Sequence, residues 1–484
     1  MNELLKRLGI GALIGLAVAL IIYFGSNKIT FIKTILDGYE YQSYDSRMRV
    51  RVEDVKEQTI DSVIVIDIDQ NSTLSVEEGG LGRFQDWPQA QHGQLINVVS
   101  SGEPKALLFD IIFYPANDND YFLVQDLVTE HKFTSQEMVN RANDFLFGKN
   151  PYALVDQTAA SQKVHHSIVF EKEDSLNFLF KMNTEPKGYF YENHLIRGIP
   201  KGIAEQLPTA DFIGNTYVEL LSASTGAGSA NFPQDEDGII RRAPTAIYFE
   251  GPNHVYPSLV MSAVIDILGI KKDGGFDYDF DNNLLRLIDT TDTVIREIPI
   301  DEKGRMYVNY YGKFKTFYYL PYNYCIDPDM AEFFTDKVAF VGASLPGLMD
   351  LRNTPVQETF AGVEIHANVM HSILQNEFVS ITDAQTNLWV LLIICILLGV
   401  LVSIPAKPLY TLPIPLIAIV AWIIFTYNAF FNDLKMWEVI RPALAMGSTY
   451  LGIFLYNFLV VEKDKRFLKN TFGAYISPEL IDQM

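Results

Sequence analysis

Cysteine is nearly absent. Cys325 lies in a long polar segment and Cys395 inside an apolar run, so an intrachain disulfide is not expected and the fold must stand on its core. Also missing are a nucleophile elbow, a phosphate-cradling glycine loop, a zinc-ligand spacing and a kinase signature, which removes the enzyme classes those motifs serve. Gly79-Gly80-Leu81-Gly82 is glycine-rich, but no strand feeds it into a helix start, and it reads as a loop. His165 and His166 adjoin; on a strand they would point to opposite faces, which argues against joint metal binding. His254, His366 and His371 stand isolated. No internal repeat or low-complexity linker is visible. Basic charge is scarce, with 38 Lys and Arg against 59 Asp and Glu and a net charge of -21. The ends, residues 1–24 and 387–484, carry about +2, which leaves about -23 on the segment between them. Such a surface repels nucleic acid and anionic lipid, so no nucleic-acid partner is expected.

Long apolar runs are what the chain has in quantity. Trp389 to Ile404, Leu412 to Phe431 and Ala443 to Val461 follow one another with only short hinges between them. Each approaches the ~20 residues a helix needs to cross a bilayer. A fourth run, Leu8 to Phe24, follows Lys6 and Arg7, and no small-x-small cleavage site comes after it, so it reads as an uncleaved signal anchor. Within it Gly11 and Gly15 form a G-x-x-x-G pair that could seat a helix contact, as could Ser448 and Gly452 in the last run. The positive-inside rule places Lys6 and Arg7 in the cytoplasm, returns Lys407 there, and leaves Lys463, Lys465, Arg466 and Lys469 inside after the fourth crossing. All the basic residues nearest the membrane agree with one topology. Ionisable residues are confined to the ends of the runs, which argues against a transporter.

The segment outside alternates strand and helix signals. Val63 to Asp67, Ala106 to Asp110 and Val338 to Gly342 are short continuous apolar runs suited to parallel strands buried on both faces, and His92 to Val99 is helical in period between the first two. Tyr307 to Tyr324 and Ile239 to Phe249 read as antiparallel strands or hairpins, the second preceded by the turn residues Asp235-Glu236-Asp237-Gly238. The expected fold class is an α/β extracellular sensor domain with a mixed sheet, plus four transmembrane helices, one N-terminal and three C-terminal. Its divisions are a cytoplasmic N-terminus (1–7), a signal anchor (8–24), an extracytoplasmic domain (25–386), a three-helix membrane module (387–461) and a cytoplasmic connector helix (462–484).

Asp67, Asp69 and Asp110 fall at or just past the C-terminal ends of two strands expected to be neighbours, the edge where open α/β sheets collect ligands. Converging carboxylates there could hold a divalent cation or an amine; the alternative is that they cap turns or pair with Arg47, Arg49 or Arg83. Catalytic and metal-ligating residues are expected to be absent. After the last run the chain stays helical until Gly473, and Ser477-Pro478-Glu479-Leu480 then starts a new helix. Lys463, Phe467, Phe472, Tyr475 and Pro478 are the expected signal-relay positions.

The exterior segment resembles the type-two CHASE sensor domain. The resemblance runs through Asp45-Ser46-Arg47-Met48-Arg49, Val63 to Asp69, Ala106 to Phe113, Asp235 to Pro244, Val308-Asn309-Tyr310, Val341-Gly342-Ala343-Ser344 and Gly362 to Asn368. One departure is Phe84-Gln85-Asp86-Trp87-Pro88, where the family has a tighter tryptophan-proline stretch. Phe472 to Glu479 looks like the connector that leads into a class III adenylate or guanylate cyclase domain. The resemblance implies a receptor in a bacterial inner membrane, a homodimer because that family's active site forms between two chains, and an unidentified extracytoplasmic ligand or protein partner. Mg or Mn with ATP is implied only for a cyclase domain beyond Met484, and the catalytic aspartates of such a domain have no counterpart here. The rival reading is a non-enzymatic membrane receptor or scaffold that signals through a partner.

Overall fold

The structure, a computed structural model, describes residues 2–115, 119–133, 135–172, 192–213, 217–251, 253–345, 351–405 and 411–461. In chain order the principal helices are α1 (Asn2–Lys28), α2 (Thr30–Arg51), α3 (Gln89–Ser101), α4 (Ala153–Ser161), α5 (Leu259–Leu268), α6 (Gly362–Gln375), α7 (Ala384–Ser403), α8 (Pro413–Asp433) and α9 (Ile440–Tyr456). Two compact units result: Val52–Val379, and Met1–Arg51 together with Ser380–Met484.

The first unit is built on six strands, β1 (Ile60–Ile68), β2 (Ala106–Phe109), β3 (Val164–Ile168), β4 (Gly226–Ser229), β5 (Phe317–Pro321) and β6 (Val338–Ala343). They form one sheet in the order β5-β1-β6-β2-β3-β4, every pair parallel. Continuous apolar runs serve such strands because both faces are covered. Ile64, Ile66, Leu107, Phe109, Ala339 and Val341 face one way into a core with Leu95, Ile96 and Val99 of α3 and Leu154 of α4. On the other face α5 lies against β2, β3 and β4, and α6 against β1 and β6. The helix expected between the first two strands is α3.

Two expectations need correction. β1 and β2 are not neighbours: β6, distant in sequence, inserts between them and pairs with both. Phe317–Pro321, read as antiparallel, is a parallel edge strand beside β1. The antiparallel pairs form separate small sheets, including Ala246–Phe249 with His254–Pro257 and Phe276–Asp279 with Leu284–Ile288 and Val294–Pro299.

The turn at Asp235-Glu236-Asp237-Gly238 is present, with Gly238 at φ 81° and its N–H donating to the Asp235 carbonyl at 2.9 Å. It also anchors a buried ionic knot that turn chemistry did not foretell. Arg241, with its side chain fully buried, pairs with Asp235 at 3.2 Å and Asp237 at 2.7 Å. Arg242 pairs with Asp235 at 2.5 Å and Asp301 at 3.1 Å, and Arg305 pairs with Asp301 at 2.7 Å. Charges removed from water survive only when paired and hydrogen-bonded throughout, so the knot fixes how Arg242–Pro244 pairs with Arg305–Tyr307.

In the helical unit α1 packs along α7. A Cβ at Gly11 would overlap the Gly399 carbonyl and Ser403 Oγ, and one at Gly15 would overlap the Cys395 carbonyl. The G-x-x-x-G pair therefore seats a helix of its own chain. Gly452 of α9 similarly admits Ile14 Cγ2, 3.0 Å from where its Cβ would be. Three helical spans, Leu4–Lys28, Ala384–Ser403 and Pro413–Asp433, are long and apolar enough to cross a membrane; α9, at 17 residues, is shorter. Residues 30–51, expected in the exterior domain, form α2 and belong to this unit.

Arg241→Ala leaves Asp235 short of a buried partner. The expected cost is about 3–5 kcal/mol of unfolding free energy, read as a lower denaturation midpoint of the full chain in lipid nanodiscs; an unchanged midpoint would contradict the knot's structural role.

Candidate functional site

β1, β6, β2, β3 and β4 all run the same way, so their C-terminal ends share one edge, and each sequence-derived carboxylate is found there in a different setting. Asp67 is 3 % exposed; its carboxylate accepts the Ser344 N–H at 2.8 Å and the Ser344 hydroxyl at 2.5 Å. Burial pushes its pKa up to about 6, against the lowering effect of those bonds. This contact latches the end of β1 to the chain leaving β6. Asp69 closes a turn, its Oδ1 accepting the Ser72 N–H at 2.8 Å and hydroxyl at 2.7 Å. Asp110 stands apart, with Oδ1 3.8 Å from His366 Nε2 of α6. The three carboxylates therefore do not converge, because β6 separates the strands that carry them. Among the described residues no three His, Cys, Asp or Glu side chains gather as a metal site.

Asp110 alone of the three lines a cavity of 270 Å³, together with Glu171, Asn231, Arg352 and the first residues of α6, Gly362 and Val363. Acids stand at the ends of β2 and β3, and a guanidinium follows β6. Asn231 forms part of the wall: its amide bonds both the N–H and the carbonyl of Phe170, at 2.9 Å each.

Behind the cavity, α6 carries a buried acid that sequence reading passed over. Glu364 accepts the backbone N–H groups of Lys315 and Thr316 and the Tyr319 hydroxyl, all at 2.9 Å. Burial pushes its pKa up to about 7. It pins α6 to the start of β5; a lone acid among Gly362-Val363-Ile365-Ala367 was the available signal.

Histidines are buried around the sheet. As their strand positions require, His165 meets Ser262 of α5 at 3.2 Å on one face and His166 meets Thr158 of α4 at 3.3 Å on the other. His92 Nδ1 and the Tyr322 hydroxyl share a hydrogen bond of 2.8 Å. Burial lowers His92, His165, His166 and His366 to about 3 and His194 to about 4. Cys325 is buried and its thiol is pushed up to about 12, so it is unreactive.

A second polar cluster lies in the helical unit. The Glu40 carboxylate of α2 accepts the N–H groups of Val439 at 2.9 Å, Ile440 at 2.7 Å and Arg441 at 3.3 Å. These are donors that a helix start leaves open, so Glu40 caps α9 from another helix. Asp37 pairs with Arg441 at 2.5 Å, and Arg47 donates to the Trp437 carbonyl at 3.2 Å. The expected relay residues Lys463, Phe467, Phe472, Tyr475 and Pro478 lie outside the described residues.

The titrations set a pH dependence. A histidine depressed by folding stabilises the fold fully above its unfolded value of about 6.5, and that stability is lost as pH falls towards the folded value. Asp67 and Glu364 are raised, so they act oppositely, their protonation favouring the folded state as pH falls through about 7 to 4. Five histidines outweigh two carboxylates. Acidification from pH 6.5 to 4.5 is expected to destabilise Val52–Val379, by on the order of a few kcal/mol per pH unit at most. Circular-dichroism melts of the full chain across that window test it; a midpoint constant or rising on acidification would contradict the buried neutral histidines.

Compared with known families, residues 13–404 match the CHASE2 domain. No curated protein and no solved structure matches the chain.

Proposed function

The chain belongs to the CHASE2 domain family, a family of sensor domains, and from that premise we propose that it is a membrane receptor whose exterior domain takes its signal at the cavity beside Asp110 and relays it to a cytoplasmic cyclase. The family match carries the sensor part of this reading. Four crossings by α1, α7, α8 and α9 are supported by the agreement of Lys6, Arg7 and Lys407 on one side. Packing supports it too. Arg7 donates to the carbonyls of Ser403 and Ile404 at 2.8 Å, which puts the start of α1 level with the end of α7, as a shared cytoplasmic side requires. Glu40 and Val439 meet at the other end. The cyclase is supported by the likeness of Phe472 to Glu479 to the connector of that enzyme family; Mg or Mn with ATP would bind in such a domain, and none of the residues of this chain is assigned to them.

Relay follows from connectivity. α2 runs on in sequence into Val52, and its Glu40 holds the N-terminus of α9, whose far end leads to the connector. A displacement of the chain at Arg51 is thereby passed to α9 through backbone hydrogen bonds. In a homodimer, α9 and residues 463–468 would carry it as a change in pairing between chains.

Topology is tested with an impermeant maleimide, for which the two buried native cysteines give little background. Glu302→Cys is expected to label in intact cells and Lys6→Cys only after permeabilisation; the reverse pattern would overturn the receptor reading. Cyclic nucleotide formation from ATP in membranes holding the natural gene product tests the cyclase, and its absence would reject it.

For the relay, single cysteines along 463–468 are expected to bridge between chains in membranes with helical periodicity. Glu40→Ala is expected to flatten that periodic pattern while the chain stays folded. No interchain bridging at any position would sink the dimeric relay.

A further inference from the structure

We infer that the groove between α3 and α4 binds a neutral, hydroxyl-rich solute, with mono- and disaccharides as the chemical class. The groove shares no lining residue with the cavity beside Asp110 and takes its ligand whether or not that cavity does. It exists because the two helices meet at small residues. A Cβ at Gly93 would come within 2.8 Å of the Ala153 carbonyl oxygen, so α3 and α4 approach there backbone to backbone. Gly93 raises no side chain and Ala90 and Ala153 raise only methyls, which leaves a floor between polar walls. The volume is 410 Å³, inside the ~300–1,000 Å³ range of small-molecule sites.

Helical spacing sets the walls. Gln91, Gln94 and Asn97 follow one another three residues apart on α3, spanning about 9 Å along its axis, and Asp156 and Gln157 lie one turn beyond Ala153 on α4. Asn150 stands just before α4 and completes the rim. Of these six polar side chains around the groove, five are amides, and Asp156 carries the one charge. Solvated helix faces are ordinarily rich in Lys and Glu. Here no cation is among the lining residues, so an anionic solute finds nothing to pair with. An amide side chain holds a donor and an acceptor together, as a hydroxyl does, and the two groups match each other in both directions. That capacity is open. Asn150 spends its Oδ1 on the Tyr152 N–H at 3.0 Å and keeps its Nδ2, and Gln94 spends its Nε2 on the Ile326 carbonyl at 3.1 Å and keeps its Oε1. Among the described residues, the side chains of Gln91, Asn97, Asp156 and Gln157 have no hydrogen-bond partner.

The apolar part of the site is one aromatic ring. The helix Gln136–Gly148 buries Ala142 and half-buries Phe145 and Leu146, three and four residues on, and Phe147 falls about 100° round from that face. Its ring is 84 % exposed and lines the groove. An exposed ring alone is ordinary on a protein surface; beside five amides it completes a recognition pattern. A pyranose carries hydroxyls around its edge and C–H bonds on its face. The weakly positive C–H bonds pack on the negative face of an aromatic ring while the edge hydroxyls reach the amides. A planar base would stack as well, but its few polar atoms do not match groups spread along about 9 Å of α3 and on α4 too.

The test is saturation-transfer NMR and thermal shift on the full chain in lipid nanodiscs, with glucose, galactose, N-acetylglucosamine, maltose and cellobiose at millimolar concentration. Sorbitol, glucosamine, glucuronate and adenosine are the contrasts. At least one neutral sugar is expected to bind more tightly than all four contrasts, with magnetisation passing mainly to the C–H protons of one ring face. Phe147→Ala should weaken that binding about tenfold and Phe147→Trp should preserve it. Gln91→Leu and Gln157→Leu should each weaken it about fivefold. Asp110→Asn should leave it unchanged. Binding of no neutral sugar, equal or tighter binding of any contrast, or an affinity unmoved by both Phe147→Ala and Gln157→Leu would overturn the proposal. The panel on the unaltered chain decides even if a variant fails to fold.

Discussion

Insertion of β6 between β1 and β2 is the constraint on which the unit Val52–Val379 depends. The strand arrives after more than two hundred intervening residues and pairs on both sides, Val63 to Ile68 with Val338 to Ala343 and Ala106 to Phe109 with Val338 to Val341. Its apolar residues are buried on both faces, so burial favours a central position over an edge. The chain leaving it then supplies Ser344 to latch Asp67, and further on the α6 start that forms one wall of the cavity. Gly342 lies close enough to Val363 that an added Cβ would overlap it, which brings α6 onto the strand.

The polar interior is organised around that helix and the ionic knot. Glu364 holds three donors from the β5 approach, and Arg296 returns the favour at the other end of α6, donating to the carbonyls of Ile373 at 2.8 Å and Leu374 at 3.3 Å. Both helix ends are thus tied to other parts of the same unit. The knot of Arg241, Arg242, Arg305, Asp235 and Asp301 works likewise, joining segments distant in sequence by charges that are costly to leave unpaired.

In the helical unit, small residues and long polar side chains divide the work. Glycine at 11, 15 and 399 permits backbone approach of α1 and α7, and van der Waals packing between closely placed helices is what holds apolar helices together in lipid. Away from that seam, Glu40, Asp37 and Arg47 bind the turn between α8 and α9 through ionic and backbone contacts. Such contacts are discrete, each either made or broken.

Local pattern by itself determined a good deal: the apolar spans, the basic residues that flank them, the helix between the first two strands, the strand ends at Asp67 and Asp110, the opposed directions of His165 and His166, and the turn at Gly238. All of these follow from short-range periodicity or from one residue's backbone preference. The order of the sheet was not legible, because pairing between β6 and its neighbours is long-range and each buried strand has the same composition. For that reason local pattern left the three aspartates either as one cluster or as turn caps and arginine partners; the structure makes them a latch, a turn, as the second reading had it for Asp69, and a cavity wall. Glu40, Glu364 and His366 were equally hidden: each acts on a partner far away in sequence, and only tertiary structure decides which buried donor or acceptor it meets.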